Sequence, residues 1–122
     1  REEAPLEDLG FSQQAEIFTY VTEVLGQEPI VVDCEDILKD PKTTLQKLCT
    51  ALDISFTEKM LSWKPGRRKT DGIWAQHWYH NVENSTGFAP WRERNPQVPE
   101  MYRGLLEKAT EYYHSLAQYR LY

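Results

Sequence analysis

Along the chain, apolar positions recur with a helical period in several stretches and run together in one. From Leu6 to Leu25 the apolar side chains are Leu6, Leu9, Phe11, Ala15, Ile17, Phe18, Val21, Val24 and Leu25. From Ala15 onward their spacing predicts a helix, with Gly26 as a natural stop and Gly10 dividing the region into a short turn and a main helix. The next segment, "EPIVVD", sets Pro29 before three β-branched residues, the pattern of a short strand buried on both faces. It is the one convincing strand signal in the sequence. In "DCEDILKDPKTTLQKLCTALDI", Asp40 is placed to cap a helix, Pro41 suits its first position, and Leu45, Leu48, Cys49 and Leu52 form an apolar stripe. Thr57 can cap a short helix carrying Met60 and Leu61, after which Pro65 and Gly66 open a loop. A helix from about Ala75 to Asn84 follows, then the loop "STGFAPWRERNPQVP". A long amphipathic helix begins near Pro99, with Met101, Leu105, Leu106, Ala109, Tyr112, Tyr113, Leu116 and Tyr119 available for packing.

These elements predict a mainly α chain with one short buried strand at residues 30–33. A lone strand leaves its backbone groups unpaired, so this one needs a partner. Either a missing N-terminal half supplies the sheet, or a second copy pairs edge to edge as a homodimer, or the strand is short and covered by the helices. An oligomer through that edge or an aromatic face is expected. The length of 122 residues suits a single domain spanning 1–122. No repeat or low-complexity tract appears. The first residue is Arg1 rather than Met, which fits either a trimmed start or one part of something longer.

Charge and cysteine content narrow the classes. With 19 acidic and 14 basic residues the net charge is −5, against broad nucleic-acid binding, which relies on excess Lys and Arg. Cys34 and Cys49 are too few for a disulfide scaffold and fit a reducing compartment, so a cytoplasmic location is expected. No apolar run approaches the roughly 20 residues of a membrane span, and "REEAPLEDLG" lacks signal-peptide features. No membrane association is expected. Cys34 has acidic neighbours and nothing that lowers a thiol pKa, so it reads as a buried bystander rather than a nucleophile.

The positive charge of this acidic chain gathers in "KPGRRKTDGIWAQHWYH". Arg67, Arg68 and Lys69 are adjacent, with "PG" before and "TDG" after, so the backbone can turn closely around a bound group while guanidinium forks grip phosphate or sulfate oxygens. The alternative is a solubilising surface loop. Trp74, Trp78 and Tyr79 can stack on a base, or Trp74 and Trp78, four apart, can form the core-facing side of a helix, which is the preferred reading. His77 and His80 lack a third ligand at recognisable spacing, so no metal site is expected. "IVVDCED" ends an apolar run in acids, as magnesium-binding strands do, but the sequence contains no G-x-x-x-x-G-K-[ST] loop to go with it. Ser85, Thr86 and Gly87 make a small polar turn that either donates to an anion or ends a helix.

Three pieces, in order, resemble the C-terminal half of the sulfotransferase family, the P-loop-related enzymes that move a sulfuryl group from 3'-phosphoadenosine 5'-phosphosulfate. "VVDCEDILKDPKTTLQKLCTALDI" is similar to the family's strand, Glu-Asp-Leu turn, Asp-Pro-capped helix and Leu-Gly exit, with Glu35, Asp36, Asp40, Pro41 and Leu52 on that pattern. "RRKTDGIW" is similar to the Arg-Lys-Gly loop and following Gly-Asp-Trp that grip the nucleotide's 3'-phosphate. "DGIWAQHWYHNVENSTGF" looks like a subgroup of sulfotransferase-like proteins, some described as resembling branched-chain aminotransferases. Together these cover about residues 30 to 88. Arg68 and Lys69 match the family's Arg-Lys pair, and Arg67 is an additional neighbour. Thr70 stands where the family usually has Gly, and the gap to Trp74 is one residue shorter.

The resemblance implies the C-terminal α/β part of a P-loop sulfotransferase-like fold, with Arg67, Arg68, Lys69, Gly72 and Trp74 as cofactor-binding residues and 3'-phosphoadenosine 5'-phosphosulfate as the cofactor. The family's 5'-phosphosulfate loop and catalytic base lie in its N-terminal half, ahead of the matched pieces. No catalytic residue is therefore assigned, and no sulfuryl transfer is expected from this chain alone. The alternative function is a noncatalytic protein-interaction or self-association module derived from that fold.

Overall fold

The computed structural model describes residues 5–122. Its helices are α1 (Phe11–Glu23), α2 (Cys34–Lys39), α3 (Pro41–Ala51), α4 (Ala75–Trp78), α5 (His80–Glu83) and α6 (Arg103–Ala117). Single 3-10 turns lie at Leu6–Leu9, Glu58–Met60 and Glu100–Tyr102. The chain is mainly helical, as its periodicity predicts. No helix among the described residues is long and apolar enough to cross a membrane. Two compact units form, one from the chain up to Asp33 together with Arg92–Tyr122, the other from Cys34–Trp91.

In the first unit α1 packs against α6. The two helices bring the Phe18 and Tyr119 rings to 4.8 Å between centroids, and the small side chain of Ala109 is buried on α6. The apolar run at residues 30–33 does not become a strand. Val31 makes one parallel bridge with Arg120, and its carbonyl accepts from Leu121 N–H at 3.0 Å. The cause lies in the partner segment. Tyr119 and Arg120 still donate to the carbonyls of Leu116 and Ala117 as α6 unwinds, so helical turn geometry persists almost to the bridge and a ladder cannot develop. Nor is the run buried on both faces; its residues are half-buried. Asp33, the acid at its end, accepts from the Tyr113 hydroxyl at 2.5 Å and lies 3.9 Å from Nη1 of Arg120. It ties the run to α6 and its exit.

The second unit begins with α2 and α3, joined through Asp40. The Asp40 carboxylate accepts from Thr43 N–H at 3.1 Å, with Pro41 in the first helical turn, the arrangement its sequence predicts. Thr44 is buried in α3, and its hydroxyl donates to the Asp36 carbonyl at 3.0 Å, holding α2 against α3. Cys49, also buried, places Sγ 3.8 Å from Sδ of Met60, just after the Thr57-capped turn. Cys34 differs from expectation: it is the first residue of α2 and is exposed rather than buried.

Hydrogen bonding from Thr43, through its side chain and then its backbone N–H, holds the Asp40 carboxyl below its ordinary value of 3.8, and Lys47 adds to this. A carboxylate whose pKa is depressed in the folded state stabilises the fold above its unfolded value, and that contribution is lost as pH falls through the folded one. Asp40→Ala is therefore expected to lower the melting temperature at neutral pH, and the difference from the parent to shrink as pH drops below 3.8. Melting curves across that range check it; a difference independent of pH contradicts the cap.

Candidate anion-binding site

The loop that carries the adjacent cations is closed at its base by neutral groups. Ser62 and Gly87 form an antiparallel bridge, and Trp63 N–H donates to the Thr86 carbonyl at 3.0 Å. The Trp63 indole Nε1 donates to Ser85 Oγ at 2.9 Å, and that hydroxyl donates to the Val82 carbonyl at 2.7 Å. Phe88 meets the Trp63 ring edge to face, 5.4 Å between centroids and 83° between planes, a favourable aromatic geometry. Gly87 is favoured by closeness: a Cβ there would lie 3.1 Å from the Leu61 carbonyl oxygen, a tight contact. The polar turn Ser85–Gly87 thus serves to seal the loop.

Above this seal, Glu83 holds the loop from α5. Its carbonyl accepts from Gly66 N–H at 2.6 Å, and its half-buried carboxylate accepts from Arg67 Nε at 3.0 Å. Gly66 has φ +110°, a conformation that side-chain-bearing residues rarely adopt. This brings Arg67 back toward α5. Arg68 closes the next turn. Its N–H donates to Asp71 Oδ2 at 2.8 Å while Asp71 N–H donates to its carbonyl at 3.1 Å. Its guanidinium folds over the loop, donating from Nη2 to the Lys64 carbonyl at 2.5 Å and from Nη1 to the Gly66 carbonyl.

Arg67, Arg68, Asp71, Gly72 and Gln76 share a shallow depression of about 200 Å³. Three of the five residues expected from the sequence, Arg67, Arg68 and Gly72, therefore meet in one place. Lys69 and Trp74 are not among its lining residues: Lys69 is exposed, and Trp74 precedes α4 with 68% of its surface exposed. The expectation that Trp74 and Trp78 form a core-facing pair is not met, since Trp78 is 75% exposed. The chain from Ala75 makes two single turns broken at Tyr79 rather than one helix to Asn84. Its buried position goes to the small Ala75, which leaves the indoles outside. His77 and His80 fall in different turns, near Gln76 and Asn84. Among the described residues no three potential ligands gather around a metal position.

Sequence reading did not single out Trp63 or Glu83. Trp63 meets Ser85 across 22 positions and Glu83 meets Arg67 across 16, and neither pair belongs to a periodic stripe. One signal was present. Glu83 is the only acid between Asp71 and Glu93, in a segment leading from a triple-cation run.

The sulfotransferase domain family matches residues 1–119, well beyond the 30–88 stretch that carries the motifs. Two Arabidopsis thaliana proteins, the branched-chain-amino-acid aminotransferase-like proteins 1 and 2, are 36% and 33% identical over 109 residues. In each case 89% of this chain is covered, and the chain spans only about a fifth of the relative, 20% and 19%. No solved structure matches.

The seal predicts that Gly87→Ala is destabilising. Its Cβ must push on backbone rather than a side chain, and a cost of roughly 1 kcal/mol is expected. Urea unfolding checks this, and an unchanged midpoint contradicts the close approach.

Proposed function

Because the chain belongs to the sulfotransferase domain family, we propose that its loop from Lys64 to Gly72 binds the 3'-phosphate of the sulfuryl donor 3'-phosphoadenosine 5'-phosphosulfate. The observation that carries this reading is the convergence of Arg67, Arg68 and Gly72 on one depression. A guanidinium offers five N–H donors. Arg68 spends two on loop carbonyls and Arg67 spends one on Glu83, so both keep donors for phosphate oxygens. Charge-assisted bonds of this kind are the strong ones. Lys69 and Trp74 do not line the depression; each is next in the chain to a residue that does, and on this reading Lys69 adds a point charge and Trp74 a packing wall.

Size supports the same division. Pockets that engulf a whole ligand run to about 300–1,000 Å³, whereas a concavity of about 200 Å³ suits a phosphate and part of its sugar. The site then acts on a non-reacting end of the donor. Energy gained there can orient the sulfuryl group for in-line transfer, which depends on positioning. None of the residues around the depression is assigned to the chemical step.

Isothermal titration with 3',5'-adenosine bisphosphate tests this. Binding is expected, and replacing both Arg68 and Lys69 with Ala is expected to weaken it about tenfold or more, the scale of charge-assisted contacts. Absent binding, or binding unchanged in the double variant, overturns the assignment.

A second reading, a protein-interaction or self-association surface, has its own observation. Ile73, Trp74, Trp78 and Val82 are 78%, 68%, 75% and 63% exposed within ten positions, and clustered exposed apolar residues mark contact surfaces. On this reading a homodimer forms through the indoles. Sedimentation equilibrium is expected to show concentration-dependent association that Trp78→Glu reduces; a monomer at every concentration removes it.

A further inference from the structure

The cation that sequence comparison treats as an extra is the one the structure holds most firmly from outside the loop. Arg68 bonds to the carbonyls of Lys64 and Gly66, both within its own loop. Arg67 instead bonds across to Glu83 on α5, which also receives the Gly66 N–H at 2.6 Å through its carbonyl. One residue therefore fixes both the guanidinium and the backbone immediately before it. We infer that Glu83 is a positioning residue: it spends Arg67 Nε so that the terminal nitrogens are presented to an anion in the depression. This deepens the phosphate-binding reading and rests on it.

A carboxylate beside an anion site opposes the ligand's charge, so its presence needs a reason. Geometry supplies one. Glu83 engages Nε, and among the described residues Nη1 and Nη2 of Arg67 donate to no acceptor. The carboxylate therefore occupies one edge of the guanidinium and leaves the two terminal nitrogens, a pair that matches two oxygens of a phosphate. Without Glu83 the side chain, 59% exposed, returns to its many rotamers, and ordering it again is charged against binding. The carboxylate's repulsion of the ligand acts the other way, but Arg67 screens it, and Glu83 is only 21% exposed.

The test uses the full chain and 3',5'-adenosine bisphosphate as probe. Arg67→Ala is expected to weaken binding about tenfold. Glu83→Ala is expected to weaken it about threefold to fivefold, the range for a partly exposed ion pair, and Glu83→Gln, which keeps an acceptor oxygen, to retain most of the parent's affinity. In the Arg67→Ala background, Glu83→Ala is expected to have no further effect. Equal losses in both backgrounds, or no loss at all, overturn the positioning role while leaving phosphate binding in place. A second measurement needs no ligand. The Arg67 Nε–Hε resonance is expected to be protected from exchange in the parent and in Glu83→Gln, and averaged in Glu83→Ala. If the parent fails to bind the probe, the function falls, and this resonance still decides whether Glu83 holds Arg67. An unprotected resonance in the parent overturns it.

Discussion

The site depends on the seal at Ser62 and Gly87. Bringing the two ends of a chain segment together costs entropy that rises slowly with its length, and cations inside the segment oppose closure because they repel one another. Neutral groups meet that cost here. The Trp63 indole bonds to Ser85, its backbone N–H bonds to Thr86, and its ring stacks edge-on with Phe88. None of these contacts is weakened by salt or by a bound anion. The base of the loop is therefore closed by neutral contacts, and the guanidinium groups of Arg67 and Arg68 spend only part of their donors on the chain.

Two carboxylates then organise the cations without neutralising them. Asp71 accepts from the Arg68 backbone N–H rather than from a guanidinium, so it shapes the turn at no cost in side-chain donors. Glu83 does engage a guanidinium, yet only at Nε. Exposed ion pairs contribute little to stability, and this one is better understood through orientation. An acidic chain thus keeps a local positive surface by directing its nearest acids to backbone groups and to the one nitrogen a phosphate fork does not need.

What was legible in the sequence was local. Asp40 with Pro41, the Thr57 turn and the amphipathic stretch ending in α6 all rest on neighbours within a few positions, and each appears where the spacing puts it. The "RRKTDG" signature likewise led to Arg67, Arg68 and Gly72 of the depression. What failed was non-local. Residues 30–33 have strand propensity, but a strand is made by its partner, and Arg120 was still leaving a helical turn. Trp74 and Trp78 have core-like spacing, but the helix broke at Tyr79 and buried Ala75 instead. Trp63 and Glu83 were invisible for the same reason. Their roles exist only once residues 16 to 22 positions away are beside them.

The different ways the two arginines are held imply an order of engagement. Arg68 folds onto the Lys64 and Gly66 carbonyls, and releasing those bonds exposes two carbonyl oxygens that must then be solvated. An anion that reached Arg68 through its remaining donors would avoid this cost. Arg67 carries no such cost at its terminal nitrogens. Under the proposed phosphate-binding role, first capture would fall to Arg67, whose terminal nitrogens are not committed to the loop, before the loop-bound Arg68. The proposed role then divides between two kinds of cation: Arg67, held from outside the loop by Glu83, would give readiness, and Arg68, held within the loop, would add strength once an anion is in place.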